Sequence, residues 1–174
     1  DPKNSRIIYA ESQDGNVSRI DKVSNERKTI RPLPARGEAP YRWNWNTPIL
    51  MSPHDPATIY VGANRVFKSP DRGQSWTAIS PDLTTNDPAK QQQEESGGVT
   101  LDNSSAETHT TIFAIAESPK NGGLIWVGTD DGNLQLTRDG GKSWTNVAAN
   151  VTGVPKGTWV SWIEPSPFDA GTAF

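Results

Sequence analysis

The chain has 174 residues, of which 33% are hydrophobic, with 15 Gly and 14 Pro; that is long enough for one core but too polar for long aliphatic elements, so many short elements joined by tight turns are expected. Lys and Arg total 17 against 20 Asp and Glu, for a net charge of -3, and no basic block gives the footprint of a nucleic-acid binder. With no Cys and two His, disulfides and thiolate metal sites are excluded, no metal or cofactor is expected, and no apolar run approaches the ~20 residues that would span a bilayer.

In chain order, the first pattern is "DPKNSRIIYAE" from Asp1, which returns as "SPHDPATIYVG" from Ser52, "SPKNGGLIWVG" from Ser118 and "SPFDAGTAF" from Ser166. The copies align without a gap. Each opens with a Pro of fixed φ and carries Asn or Asp at its fourth position, which is turn chemistry. A strand follows, ending in Ile8-Tyr9, Ile59-Tyr60, Ile125-Trp126 and Ala173-Phe174, so an aliphatic and an aromatic residue point to opposite faces at constant phase.

Units are expected near 1–46, 47–80 and 111–150, with the start of a further one at 158–174. In the first, Asp21 lies in the phase of a motif described below but lacks its Gly and Trp, which reads as a degenerate copy. The second should hold strands near 47–51, 57–62, 65–69 and 75–79, and the third near 111–117, 123–128, 133–137 and 143–147, with 159–164 opening the next. Residues 81–110 are an inserted loop with a Gln run and a Gly-Gly pair, of the length that is usually functional or disordered. No helix is required. Four short antiparallel strands per unit are the signature of a β-propeller blade; a β-sandwich is the alternative, but it needs no motif at fixed phase.

The second motif is the octet "SPDRGQSW" at 69–76, repeated as "TRDGGKSW" at 137–144. Each residue type has a structural task in a hairpin between third and fourth strands. Ser69 or Thr137 and Asp71 or Asp139 can bond the backbone just after them. Gly73 and Gly141 suit a left-handed position, and Trp76 and Trp144 can plug the turn from below. A catalytic aspartate would need a second acid, base or nucleophile at constant spacing, and a calcium loop would need more than one carboxylate; neither is present.

The octets resemble the Asp-box, or bacterial neuraminidase repeat, S-x-D-x-G-x-x-W. That resemblance implies a propeller of the kind found in sialidases, in xyloglucan-cleaving glycoside hydrolases and in sortilin-type receptors. The stretches "YRWNWNTPILMSPHDPATIYVGANRVFKSPDRGQSW" and "TIFAIAESPKNGGLIWVGTDDGNLQLTRDGGKSWTNV" look like large secreted bacterial proteins described as sortilin N-terminal-like or glycosyl-hydrolase-like, which implies an extracytoplasmic location. No sialidase residue carries over, because "TIRPLP" and "PYRWNW" do not match the [FY]-R-I-P stretch. A closed propeller needs at least four blades, so a segment of a larger propeller is expected, completed by further blades of the same longer chain or by other chains.

With the octets on one face, function is expected on the other. Its candidate ligand-binding residues are Arg42, Trp43, Asn44 and Trp45, with Arg65, His109 and Trp159; Asn64, Asn133 and Lys156 join them. Aromatic rings mixed with Asn, Arg and carboxylates suit a glycan or a peptide. The alternative for Trp43 and Trp45 is that one seals a blade interface and the other caps the channel. Weak catalytic candidates are Glu107, Asp130 and Asp131, since a glycosidase needs two carboxyls ~5 to 9.5 Å apart; "TDDGN" also reads as a plain hairpin turn. The expectation is a recognition or scaffold module, with glycoside hydrolysis as the alternative.

Overall fold

Every Pro-Asx turn folds back on itself through the same backbone bond. Ser52 N donates to Thr58 O, Ser118 N to Leu124 O and Ser166 N to Thr172 O, each at 2.9 Å, and Asp1 N donates to Ile7 O at 2.9 Å. In the computed structural model, which describes residues 1–96 and 108–174, these turns launch three antiparallel sheets in sequence. The first holds β1 (Ile7–Ala10), β2 (Ser18–Asp21) and β3 (Arg27–Thr29). The second holds β4 (Ile49–Met51), β5 (Ile59–Gly62), β6 (Val66–Ser69) and β7 (Thr77–Ala78); the third holds β8 (Ile112–Glu117), β9 (Ile125–Thr129), β10 (Leu134–Thr137) and β11 (Thr145–Asn146). The strand order is meandering in each, so the chain is an all-β propeller segment of about three blades. Register follows the repeat: Ile59 faces Ser69 across β5–β6 as Ile125 faces Thr137 across β9–β10.

Three expectations need correction. The first unit has three strands, not four. Residues 159–164 form no ladder strand: Val160 N bonds Thr129 O, and the segment's only pairing is an isolated bridge between Pro165 and Ala173. A strand exists only against a partner, and Pro165 has no N–H to give. Helix is also present, as a 3-10 turn at Pro88–Lys90 and one α turn, α1 (Gln93–Ser96), inside the insertion. Asp87 caps the first by accepting from Ala89 N at 3.0 Å, with Pro88 preset for a first helical position.

The octets close as local clasps. Ser69 Oγ accepts Gly73 N at 2.7 Å and donates to Asp71 Oδ1 at 2.8 Å; Asp71 then accepts Ser75 N at 2.8 Å and Ser75 Oγ at 2.6 Å. Thr137, Asp139, Gly141 and Ser143 repeat every one of these bonds at 2.6–2.9 Å. Asp21 keeps part of the pattern, accepting Val23 N and Ser24 N while pairing with Arg6. The tryptophans reach outward: Trp76 Nε1 donates to Ile30 O at 2.6 Å and Trp144 Nε1 to Ile79 O at 3.0 Å, each a carbonyl of the preceding blade.

Gly141 shows why the octet needs glycine. Its φ is +100°, and a Cβ there would stand 2.5 Å from Ile79 O and 2.9 Å from Ile79 Cβ, whereas Gly140, at φ +73°, has open space around it. Gly140→Ala should therefore cost about 1 kcal/mol for the left-handed backbone alone. Gly141→Ala should cost about 2 to 4 kcal/mol, because the clash is with backbone that cannot swing aside. Urea unfolding of the two variants checks this, and equal losses would remove the blade contact from the explanation.

The clasps also set an acid limb. The Asp71 carboxyl is held at about 2, below its ordinary 3.8, by the Ser75 hydroxyl, then the Ser75 N–H, then the Ser69 hydroxyl; Asp139 is held at about 2 by Ser143 and Thr137 in the same order. A carboxyl depressed on folding contributes stability above its unfolded value, and that contribution is lost as pH falls through the folded value. Thermal midpoints should thus stay flat down to about pH 5 and fall between about pH 4 and 2. Asp71→Asn with Asp139→Asn should shrink that fall without abolishing it, since Asp21, Asp55, Asp82 and Asp169 are also lowered. An unchanged limb in the double variant would place the acid sensitivity elsewhere.

Three apolar clusters lie along the segment, one at each seam between successive units. The seams orient the blades, and with them the loops on the face away from the octets.

Candidate functional site

The loops on that face are the β1–β2, β5–β6 and β9–β10 hairpins together with the connections that lead to β4, to β8 and to residues 158–163. The first part of the insertion lies across them. Leu83 is buried at 1% exposure, and its carbonyl accepts Asn133 Nδ2 at 2.9 Å and Gln135 Nε2 at 3.0 Å. Asp82 accepts Asn64 Nδ2 at 3.0 Å and Arg42 Nη2 at 2.6 Å. The insertion is therefore a seam between the second and third blades in its first dozen residues.

Several candidates turn out to be scaffold. Trp43 is 1% exposed, stacked on Phe67 at 6.1 Å, edge-on to Tyr41 at 6.5 Å, with the Arg31 guanidinium 5.2 Å over its ring. It seals the seam of the first two blades and cannot meet a ligand. Asn44, 6% exposed, donates to Thr111 Oγ1 at 2.9 Å and to Asp130 Oδ2 at 3.3 Å. Arg42 spends its guanidinium on Asp82, on Thr84 Oγ1 at 3.0 Å and on Thr110 O at 3.1 Å. Trp45 is half-buried, and Arg65 is exposed.

The carboxylates are likewise engaged. Asp130 accepts Thr111 N at 2.9 Å and Thr111 Oγ1 at 2.5 Å, and Asp131 accepts Thr129 Oγ1 at 2.5 Å with Thr85 N and Thr85 Oγ1 at 2.7 Å. Both are at least 97% buried by their exposures of 3% and 2%. Burial pushes the Asp130 carboxyl up, against the Thr111 bonds that pull it down. Glu107 lies outside the described residues.

What remains accessible is a polar pocket beside an aromatic shelf. A cavity of about 480 Å³ is lined by Lys90, Gln92, Glu95, His109, Asp130 and Gly157. His109 is one-third exposed, and its Nδ1, buried and without a hydrogen bond, stands 3.7 Å from Asp130 Oδ1. Thr110 beside it has φ +60° and a buried hydroxyl without a partner, an arrangement that costs ~1 to 3 kcal/mol and persists only where its surroundings over-determine it. The surroundings here are Arg42 on its carbonyl and Asp130 on the next N–H. Trp159, 50% exposed, stands edge-on to Phe113 with centroids 4.9 Å apart and planes at 85°; Gly157 joins the shelf to the pocket.

Sequence reasoning missed Asp82, Thr85, Lys90, Thr110 and Phe113. Only "SPDLTTND" carried a signal, as a cluster of Asx and Thr turn formers of the kind that bind neighbouring backbone. Among the described residues no group of three or more His, Asp or Glu could hold a metal ion, and no helix is long and apolar enough to cross a membrane.

No protein-family profile and no curated protein matches the chain in sequence. Among solved structures it is similar to the GH74 xyloglucanase from Xanthomonas campestris, with a TM-score of 0.58 at 20% identity, covering 94% of this chain and 24% of the xyloglucanase. It also aligns with the GH74 enzyme of Niastella koreensis (TM-score 0.27, 15% identity, 91% and 34% coverage) and with YCF48 bound to D1 peptide (0.26, 14%, 87% and 71%). The chain thus spans about a quarter of the xyloglucanase, and the likeness at that identity is one of fold: propeller blades in series.

Proposed function

We propose that this segment is a glycan-recognition module of an extracytoplasmic propeller, binding through the face opposite the octets. The observation that carries the reading is Trp159, half-exposed and propped edge-on by Phe113. A large indole left in water at the mouth of a polar pocket offers a flat apolar surface to pyranose C–H groups, while Lys90, His109 and Gln92 can address hydroxyls. The fold likeness to a xyloglucanase makes β-glucans the first polymers to test. Hydrolysis is the weaker reading, because Asp130 and Asp131 each accept several bonds in place and neither is free to trade a proton with substrate.

Titration with xyloglucan and unsubstituted β-glucan oligosaccharides, followed by calorimetry and Trp fluorescence, tests the reading. Saturable binding is expected, weakened about tenfold in Trp159→Ala, the worth of ~1.4 kcal/mol of ring contact, with no new reducing ends released. Binding indifferent to Trp159 would sink it, and hydrolysis lost in Asp130→Asn would replace it with the enzyme reading. Secretion of the parent protein, read by fractionating cells, checks the location.

A further inference from the structure

The seams between blades are built from equivalent positions. At the first, Tyr9, Val17 and Ile30 meet Ile49, Ile59 and Trp76. At the second, Tyr60, Val66 and Ile79 meet Ile115, Ile125 and Trp144. The third blade presents the matching trio, Trp126, Leu134 and Val147, and residues 158–174 bring Ile163 and Ala173 in the phase of Ile115 and Ile125. Backbone docking repeats too: Val160 N donates to Thr129 O at 3.1 Å as Ile112 N donates to Ala63 O at 2.7 Å, and Gly128 faces Val160 as Gly62 faces Ile112.

Two members of the series have no counterpart at the third seam, the second-strand valine (Val61, Val127) and the octet tryptophan (Trp76, Trp144). Beside Val147 there is instead an open groove of about 1480 Å³, and Trp162 and Phe174 on its rim are 74% and 81% exposed. Aromatic surface of that extent in water marks an interaction site.

We infer that this groove seats the second to fourth strands of a further blade of the same chain, entering through Phe174, with an aspartate-octet turn whose tryptophan donates its indole N–H to Val147 O. Ile30 and Ile79 accept that bond in the two completed seams. All three residues are prepared alike, since Ile30 N donates to Val17 O, Ile79 N to Val66 O and Val147 N to Leu134 O at 2.9, 2.9 and 2.7 Å. Val147 O already accepts Asn150 N at 2.9 Å, and a carbonyl oxygen has a second lone pair for the indole. The occupant is thus defined by chemistry: an apolar β-branched residue shortly after Phe174, then a hairpin carrying Asp, Gly and Trp at octet spacing. This inference is independent of the glycan reading.

Phe174 stands at the phase of Tyr60, so a second copy of residues 61–79 appended after it should build the missing strands. Hydrogen exchange and binding of a hydrophobic dye compare this extended chain with the chain itself and with an extension whose octet is scrambled. The expected result is roughly tenfold greater protection of the amides at 134–147, lower dye binding, and a midpoint higher by several degrees. Trp76→Ala in the appended copy, or Val147→Asp in the third blade, should erase the gain. Equal behaviour of the true and scrambled extensions overturns the inference. So does concentration-dependent dimerisation of the unextended chain that hides Trp162 and Phe174, which would give the groove to a second copy.

Discussion

Trp43→Ala should lower the unfolding free energy by about 3 to 5 kcal/mol, the range for truncating a fully buried large aromatic. Few side chains in the segment are as enclosed. Its ring is packed between Phe67, Tyr41 and the Arg31 guanidinium, and Gly15 lies so close beneath it that any Cβ there would overlap the indole. Removing it leaves a cavity at the seam of two blades, and blades in series hold their neighbours only through such seams. Trp159→Ala, by contrast, removes a half-exposed ring and should cost about 1 kcal/mol or less. Urea unfolding of both variants measures the difference. A Trp43→Ala protein that unfolds normally but fails to bind glycan would return Trp43 to the binding face.

Glu117→Ala should cost about 3 kcal/mol, because the carboxylate is 6% exposed and three donors converge on it. Ser52 Oγ reaches Oε2 at 2.6 Å, while Tyr60 OH and Gly123 N reach Oε1 at 3.1 Å each. Two of the donors come from the second blade and one from the third, so the group clasps their seam. Burial first, and then the Glu117 charge, raise the Tyr60 phenol above its ordinary range, which keeps it a neutral donor. Tyr60→Phe should lose about 1 to 1.5 kcal/mol. Tyr9 gives the internal control: it sits at the same phase one blade earlier, but Met51 stands where Glu117 would be, and its buried hydroxyl has no partner. Tyr9→Phe should therefore be neutral or slightly stabilising, since it removes an unsatisfied group rather than a bond. Thermal melts of the three variants decide it; a Tyr9→Phe loss as large as that of Tyr60→Phe would show that the hydroxyls matter for another reason.

The repeat was legible because its chemistry is local. All the hydrogen bonds that close an octet run between residues at most four apart, as from Ser69 to Gly73 and Asp71 to Ser75, so eight letters specify the turn wherever the chain places it. The same holds for the Pro-Asx turns and for the alternation of Ile and aromatic residues in β5 and β9. Arg42, Trp43 and Asn44 were misread because the "YRWNW" stretch looks like a surface loop by polarity. Its Trp is buried by a glycine far upstream and by Phe67 downstream, and Asn44 is held by Thr111 and Asp130, 67 and 86 residues away. Asp130 and Asp131 looked like free acids in a hairpin, yet their bonds to Thr111 and Thr85 depend on where the insertion and the first strand of the third blade pass.

The sequence alone thus determined that the protein is a series of short antiparallel blades with aspartate clasps on one face, since period and turn chemistry depend only on near neighbours. Only the tertiary structure decided which aromatic residues are core and which meet water, which carboxylates are spent on backbone, and which seam stands open. Those outcomes depend on contacts between residues tens of positions apart, such as Trp144 with Ile79 and Glu117 with Tyr60, and no local pattern encodes a partner at that distance.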